Sequence, residues 1–229
     1  MTTNKLLIRL VAITALLSLG ALLNGCTNDD RRGGEKGSPA SASHEADKEV
    51  DDVNEPMATA VVLGEKIEDG DLDVVQQAIL DRLFANYRKE QGIEATDAEV
   101  SALVDTIERG VAADPALTAD EDLTPEERNE AGAMRRDMAR SMVLHWKTNR
   151  ALYEQYGGRV IGQQFGPEPL DAYRKFLEQQ QAAGAFAIND PDLRAAFWRY
   201  FVDDAIHDFV DPDAAAEAFT TPPWDRQGD

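Results

Sequence analysis

The sequence predicts a mainly helical domain over residues 58–220, opened by one short N-terminal strand or hairpin. Three observations carry that prediction. Beyond residue 70, apolar residues recur every three or four positions in one segment after another, the spacing of a buried helical stripe. Cap and stop residues bracket those segments: Asp71, Thr96 and Thr124 before them, Gly92, Pro115 and Gly157-Gly158 after them. The 229 residues, 43% hydrophobic and 29% charged, are enough for one sizeable core, which excludes collagen-like, coiled-coil-only and fully disordered classes.

Residues 1–25 carry Lys5 and Arg9, contain no acid, and run almost without polar interruption from Val11 to Leu23. That is the layout of an export signal, too short and too early for a membrane span. The run closes in Leu23-Asn24-Gly25-Cys26, which resembles the lipobox of bacterial lipoproteins. The resemblance implies a lipoprotein signal peptide over 1–25 and acylation of Cys26 with palmitate-like chains. Two or three such chains anchor a protein stably where one does not. Thr27 in place of Asp resembles the default for outer-membrane sorting, so the expected address is the cell envelope, at the outer membrane facing the periplasm.

Residues 26–57 combine the lipidated Cys with a disordered acidic tether. Its large apolar residues are Val50, Val53 and Met57, among Gly33-Gly34, Ser38-Pro39 and the run Glu45 to Asp52. Such a stretch cannot bury enough surface to offset its ordering entropy. As a flexible coil it spans on the order of 30 Å, enough to hold the folded part clear of lipid headgroups.

Ala60-Val61-Val62-Leu63, then Gly64-Glu65-Lys66-Ile67, reads as a strand and turn. Asp71 caps a first helix through Leu72, Val75, Ile79, Leu83 and Tyr87, stopped at Gly92. Thr96-Asp97-Ala98-Glu99 is a capping box opening a second, through Val100, Leu103, Val104, Ile107 and Val111. Thr124-Pro125-Glu126-Glu127 opens a third that runs to Tyr156, with Pro at its first position. A fourth follows Pro167-Glu168-Pro169, from Leu170 to Ala183. Asp190-Pro191 begins a last long one reaching Phe209, and residues 221–229, with Pro222-Pro223-Trp224, read as a loose tail.

Charge narrows the partners. Against 23 basic residues stand 43 acidic ones, a net −20. A field of that sign repels nucleic acid and anionic lipid surfaces. It suits a binding protein that stays soluble while exposing a groove, and equally a host that keeps high salt. The single cysteine excludes an internal disulfide.

The stretch Ala60 to Ile107 is similar to the start of the N-terminal chaperone module of SurA-type and PrsA-type periplasmic foldases. The matching phrases are Leu63-Gly64-Glu65-Lys66-Ile67, then Ala85-Asn86-Tyr87-Arg88-Lys89-Glu90-Gln91-Gly92-Ile93, then Thr96-Asp97-Ala98-Glu99-Val100. Leu63 departs from the family, which carries Asn or a similar polar residue there. No segment reads as a parvulin domain, since the region after Gly158 reads as helical. The resemblance implies a SurA N-terminal-like fold over 58–220 and binding of unfolded or extended envelope polypeptides, without isomerase activity.

Candidate chemistry is incomplete wherever it appears. Asp203-Asp204 with His207-Asp208 places carboxylates and an imidazole on one predicted helical face, half of a carboxylate–histidine metal site whose second half is missing. His145-Trp146 has no Ser or Cys in a dyad setting, and reads as a satisfied histidine at a core rim. Gly157-Gly158-Arg159 lacks the context of a phosphate loop. An enzyme built on Tyr153, Arg159, Trp198 or His207 therefore ranks last, and no cofactor or metal is called for. Met134, Met138 and Met142, followed by Trp146, Tyr153 and Tyr156, form a flexible apolar stripe. It is either ordinary core or the lining of a peptide-binding groove. The sequence reading is thus a lipid-anchored peptide-binding module. Its rival is a structural or adaptor lipoprotein docking on one envelope complex through the aromatic block Tyr153 to Phe201.

Overall fold

A computed structural model describes residues 58–113, 123–163 and 166–225. The signal peptide, Cys26 and the tether lie outside the described residues.

The chain begins with a two-residue hairpin joining β1 (Ala60–Val62) to β2 (Glu65–Ile67). Leu63 and Gly64 both have positive φ, 50° and 82°, which matches the right-handed twist of the flanking strands. The first helices follow the sequence reading closely. Asp71 caps α1 (Leu72–Gln91), its side chain accepting from the Asp73 and Val74 amides, and Gly92 ends it in the left-handed conformation. In α2 (Asp97–Ala113), the Glu99 carboxylate accepts from the Thr96 amide while the Thr96 hydroxyl accepts from the Glu99 amide. The same reciprocal box, Thr124 with Glu127, opens the 32-residue α3 (Pro125–Tyr156).

After Gly158 the structure corrects the helical reading. A second hairpin intervenes, β3 (Ile161–Gln163) against β4 (Gly166–Glu168), before α4 (Leu170–Ala182). A fifth strand, β5 (Phe186–Ile188), pairs antiparallel with β1, giving the order β2-β1-β5. Three residues carry no legible period, and the partner lies more than a hundred positions away.

The last long helix is also shorter than expected. α5 (Pro191–Val202) stops at Asp203, whose extended backbone ends the helix and whose side chain caps a 3-10 turn over Asp204–Ile206. Asp203, Asp204 and His207 therefore do not share a helical face. A short α6 (Pro212–Ala218) follows. The final segment is not loose up to Asp225, because Pro223–Asp225 forms a 3-10 turn that packs Trp224 onto α3.

The main core lies between the three-stranded sheet and helices α1, α4 and α5. Ala60 and Val62 of the central strand, Val75, Ile79 and Leu83 of α1, and Phe176, Leu177, Phe197 and Phe201 are fully buried or nearly so. Aromatic pairs tie these layers, Tyr87 to Phe176 at 5.3 Å and Phe186 to Phe197 at 5.9 Å between ring centroids. A second cluster joins α2 to α3 through Val100, Leu103, Ala139 and Val143. Val160, Ala215 and Phe219 form a third. The mainly helical class of the sequence reading is what the structure shows; the extra strands refine it.

Candidate functional site

The predicted binding stripe lies along α3, and the protein's own elements fill most of it. Met134 is 49% exposed, whereas Met142 packs into the α2–α3 cluster. Met138 is half-buried between them. Trp146 is buried; its indole N–H donates to the Ala218 carbonyl at 3.4 Å and Trp224 stands edge-on to it. Tyr153 stacks on Phe219 with centroids 4.8 Å apart, and the Tyr156 hydroxyl donates to Gln179. The stripe is therefore not one open groove: Met142 packs in the α2–α3 cluster, and the C-terminal segment packs on Trp146 and Tyr153.

What stays open is a cleft beside Trp146, with a volume of about 600 Å³. Its floor is α3, with Trp146, Lys147 and Arg150. The Gly92–Glu94 stop of α1 and the Thr96–Glu99 cap of α2 form one wall, and Pro222, Trp224 and Asp225 form the other. The capping motifs thus position the cleft as well as starting helices.

Charge inside the cleft is partly consumed. The Lys147 ammonium donates to the Glu94 carbonyl and sits 2.6 Å from a Glu99 carboxylate oxygen. Burial raises the Glu99 pKa, yet the hydrogen bonds from Lys147 and Thr96 outweigh it and hold the carboxyl below its ordinary value. Arg150 pairs with Glu154 at 2.7 Å and lies 5.6 Å from the centroid of the Trp146 ring, within cation–π range. Among the described residues, the carboxylates of Glu94 and Asp225 have no hydrogen bond or ion pair. The cleft offers two indoles, Trp146 and Trp224, and a charged rim.

No protein family, curated protein or solved structure matches the chain. Among the described residues no helix is long and apolar enough to cross a membrane, and no group of His, Cys, Asp and Glu is arranged to hold a metal.

The catalytic candidates are engaged elsewhere. The Arg159 side chain is held by Asp171 and Asp204 and lies 4.3 Å from the Phe209 ring centroid. Trp198 packs against Phe197 and Phe201, and His207 donates from Nε2 to the Tyr200 carbonyl at 2.6 Å. The aromatic block reserved for an adaptor surface is largely spent on the core, with Tyr173, Phe176, Phe186, Phe197 and Phe201 all buried.

Sequence reasoning missed a second polar cluster. Glu168 on β4 lies 3.8 Å from His145 Nε2 on α3. Asn149 donates to that nitrogen and to the Pro167 carbonyl, and accepts from the Tyr173 hydroxyl. The His145 proton is thereby placed on Nδ1. Burial raises the Glu168 carboxyl to about 7, and burial together with Glu168 pushes Tyr200 to about 12. Burial, then the nearby Arg88 cation, lowers His145. The available signal was His145 and Asn149, four residues apart on one helix; Glu168, between two prolines, had none.

Proposed function

We propose that this chain is a lipid-anchored protein of the bacterial envelope that binds extended polypeptide segments and catalyses no reaction on them. The cleft beside Trp146, with Trp224 in its wall, is the observation that carries this reading. It combines flat aromatic surface with a polar rim, the composition of a site that holds varied segments weakly. The resemblance of Ala60–Ile107 to SurA-type and PrsA-type modules points the same way, as does the helical class. In this reading Cys26 supplies the anchor and residues 27–57 the tether, placing the cleft in the periplasm at the outer membrane.

Apolar contact is worth about 25 cal/mol per Å² buried, so a cleft of this size gives micromolar or weaker affinity once peptide ordering is charged against it. The test is suppression of client aggregation. Light scattering from an unfolded outer-membrane protein should fall with increasing amounts of the full-length chain, and this effect should be lost in Trp224→Ala. Unchanged scattering over a wide range of excess would retire the reading.

A further inference from the structure

We infer that the cleft selects cationic polypeptide segments, in which Lys or Arg side chains alternate with apolar ones. This inference rests on the peptide-binding reading above and names its substrate class.

Four carboxylates line the cleft, those of Glu94, Glu99, Glu154 and Asp225, against the two cations Lys147 and Arg150. Both cations already have partners within the fold, Lys147 in Glu99 and the Glu94 carbonyl, Arg150 in Glu154 and the Trp146 ring. An anionic ligand would have to compete with Glu99 for Lys147, share Arg150 with Glu154, and enter a chain of net charge −20. A cationic ligand breaks nothing, because Glu94 and Asp225 remain unpaired on the two walls. The indole of Trp224 beside Asp225 adds a surface that attracts cations through its ring quadrupole and also accepts aliphatic stems. A volume of about 600 Å³ exceeds what one lysine side chain occupies, and its polypeptide ligand would place a cation and its apolar neighbours in it together. The same acidic field would speed encounter with basic segments and lose that advantage in salt.

The test uses fluorescence anisotropy of short dye-labelled peptides titrated with the full-length chain in nonionic detergent. One peptide alternates Lys with Leu, one Ser with Leu, one Glu with Leu. The Lys–Leu peptide should bind most tightly and the Glu–Leu peptide not at all. Glu94→Gln and Asp225→Asn, both at exposed positions that leave the fold intact, should each weaken Lys–Leu binding by about two- to fivefold, the scale of a single exposed charge contact. Glu130→Gln with Asp192→Asn, exposed acids that do not line the cleft, should leave it unchanged. Equal weakening by that control pair would reduce the preference to the overall charge and overturn the inference. Equal binding of Ser–Leu and Lys–Leu, abolished by Trp224→Ala, would overturn the cationic preference while peptide binding stands. If no peptide binds, or if binding survives Trp224→Ala, both readings fall.

Discussion

Trp224, near the end of the chain, meets Trp146 of α3 edge-on, with ring centroids 5.3 Å apart and an interplanar angle of 77°. The contact covers the Trp146 part of the methionine–aromatic stripe, and it makes the C-terminal segment a wall of the cleft. Edge-to-face aromatic pairs contribute about 0.5–1.5 kcal/mol beyond the area they bury. Trp224→Ala should therefore lower stability by about 1–2 kcal/mol, well within what a domain of this size tolerates. Urea unfolding followed by circular dichroism measures the loss, and in a Trp198→Phe background the emission of Trp146 should shift to the red in the folded variant. An unshifted emission with full stability would show that the contact does not hold Trp146 from water.

Leu63 is a residue whose side chain opposes its backbone. It is the non-glycine residue with positive φ among those described, at 50°, and it is 44% exposed, so little apolar burial is gained in return. A side chain in that region costs on the order of 1–2 kcal/mol unless it is Gly or Asn. The amide of Leu63 donates to the Ala185 carbonyl at 2.7 Å, a bond that any residue but proline retains. Leu63→Asn should raise stability by about 0.5–1 kcal/mol, read as a higher urea midpoint with an unchanged slope. A lower midpoint would mean that the leucine side chain contributes more through packing than its exposure indicates.

How far the structure was legible follows from how local each signal is. Asp71, the Thr96–Glu99 and Thr124–Glu127 boxes, and Gly92 act within one turn of chain, and each does in the structure what its sequence context predicts. The strand Phe186–Ile188 and the hairpin Ile161–Glu168 are three-residue runs whose pairing is decided by distant partners, and no period of two can be counted in them. Asp203 ends α5 early through its own side chain bonding to the Ala205 amide, a competition between cap and helix that apolar spacing does not reveal. The stripe from Met134 to Tyr156 is legible, but its cover is not: Trp224 follows a Pro-Pro pair that reads as irregular, and Phe219 ends a seven-residue helix too short to show a period.

The proposed lipid anchor rests on residues 1–26. Cys26 follows Leu23-Asn24-Gly25 at the end of an apolar run and precedes an acidic, serine- and glycine-containing stretch, and the three features agree with a single processing event. Cys26→Ser should move the protein from the detergent phase to the aqueous phase in cloud-point partitioning and leave the signal uncleaved. If wild type and variant both partition into water, the chain is not acylated.

Glu168 gives the fold a pH dependence of unusual sign. Its side chain is 19% exposed and its carboxyl is raised from 4.5 to about 7 by burial of this end of β4 beside α3, where the nearby titratable groups are His145, Tyr173 and Tyr200. A carboxyl whose folded pKa lies above its unfolded value binds its proton more tightly in the folded state. That stability is fully present below pH 4.5 and is lost as pH rises through about 7. At about 1.4 kcal/mol per pH unit, the loss over this window is on the order of 3 kcal/mol. His145 runs the other way. Burial depresses its pKa, so the stability of its neutral form is present above its unfolded value and is lost as pH falls. The two slopes oppose each other in wild type, and Glu168→Gln separates them by keeping the shape of the neutral acid at every pH. The variant should match wild type near pH 5 and exceed it by about 2–3 kcal/mol at pH 8, measured as the difference in urea-derived stability across that range. A variant less stable than wild type at pH 8 would mean that the ionised carboxylate is held by the fold, and that the proton stays off Glu168 at neutral pH.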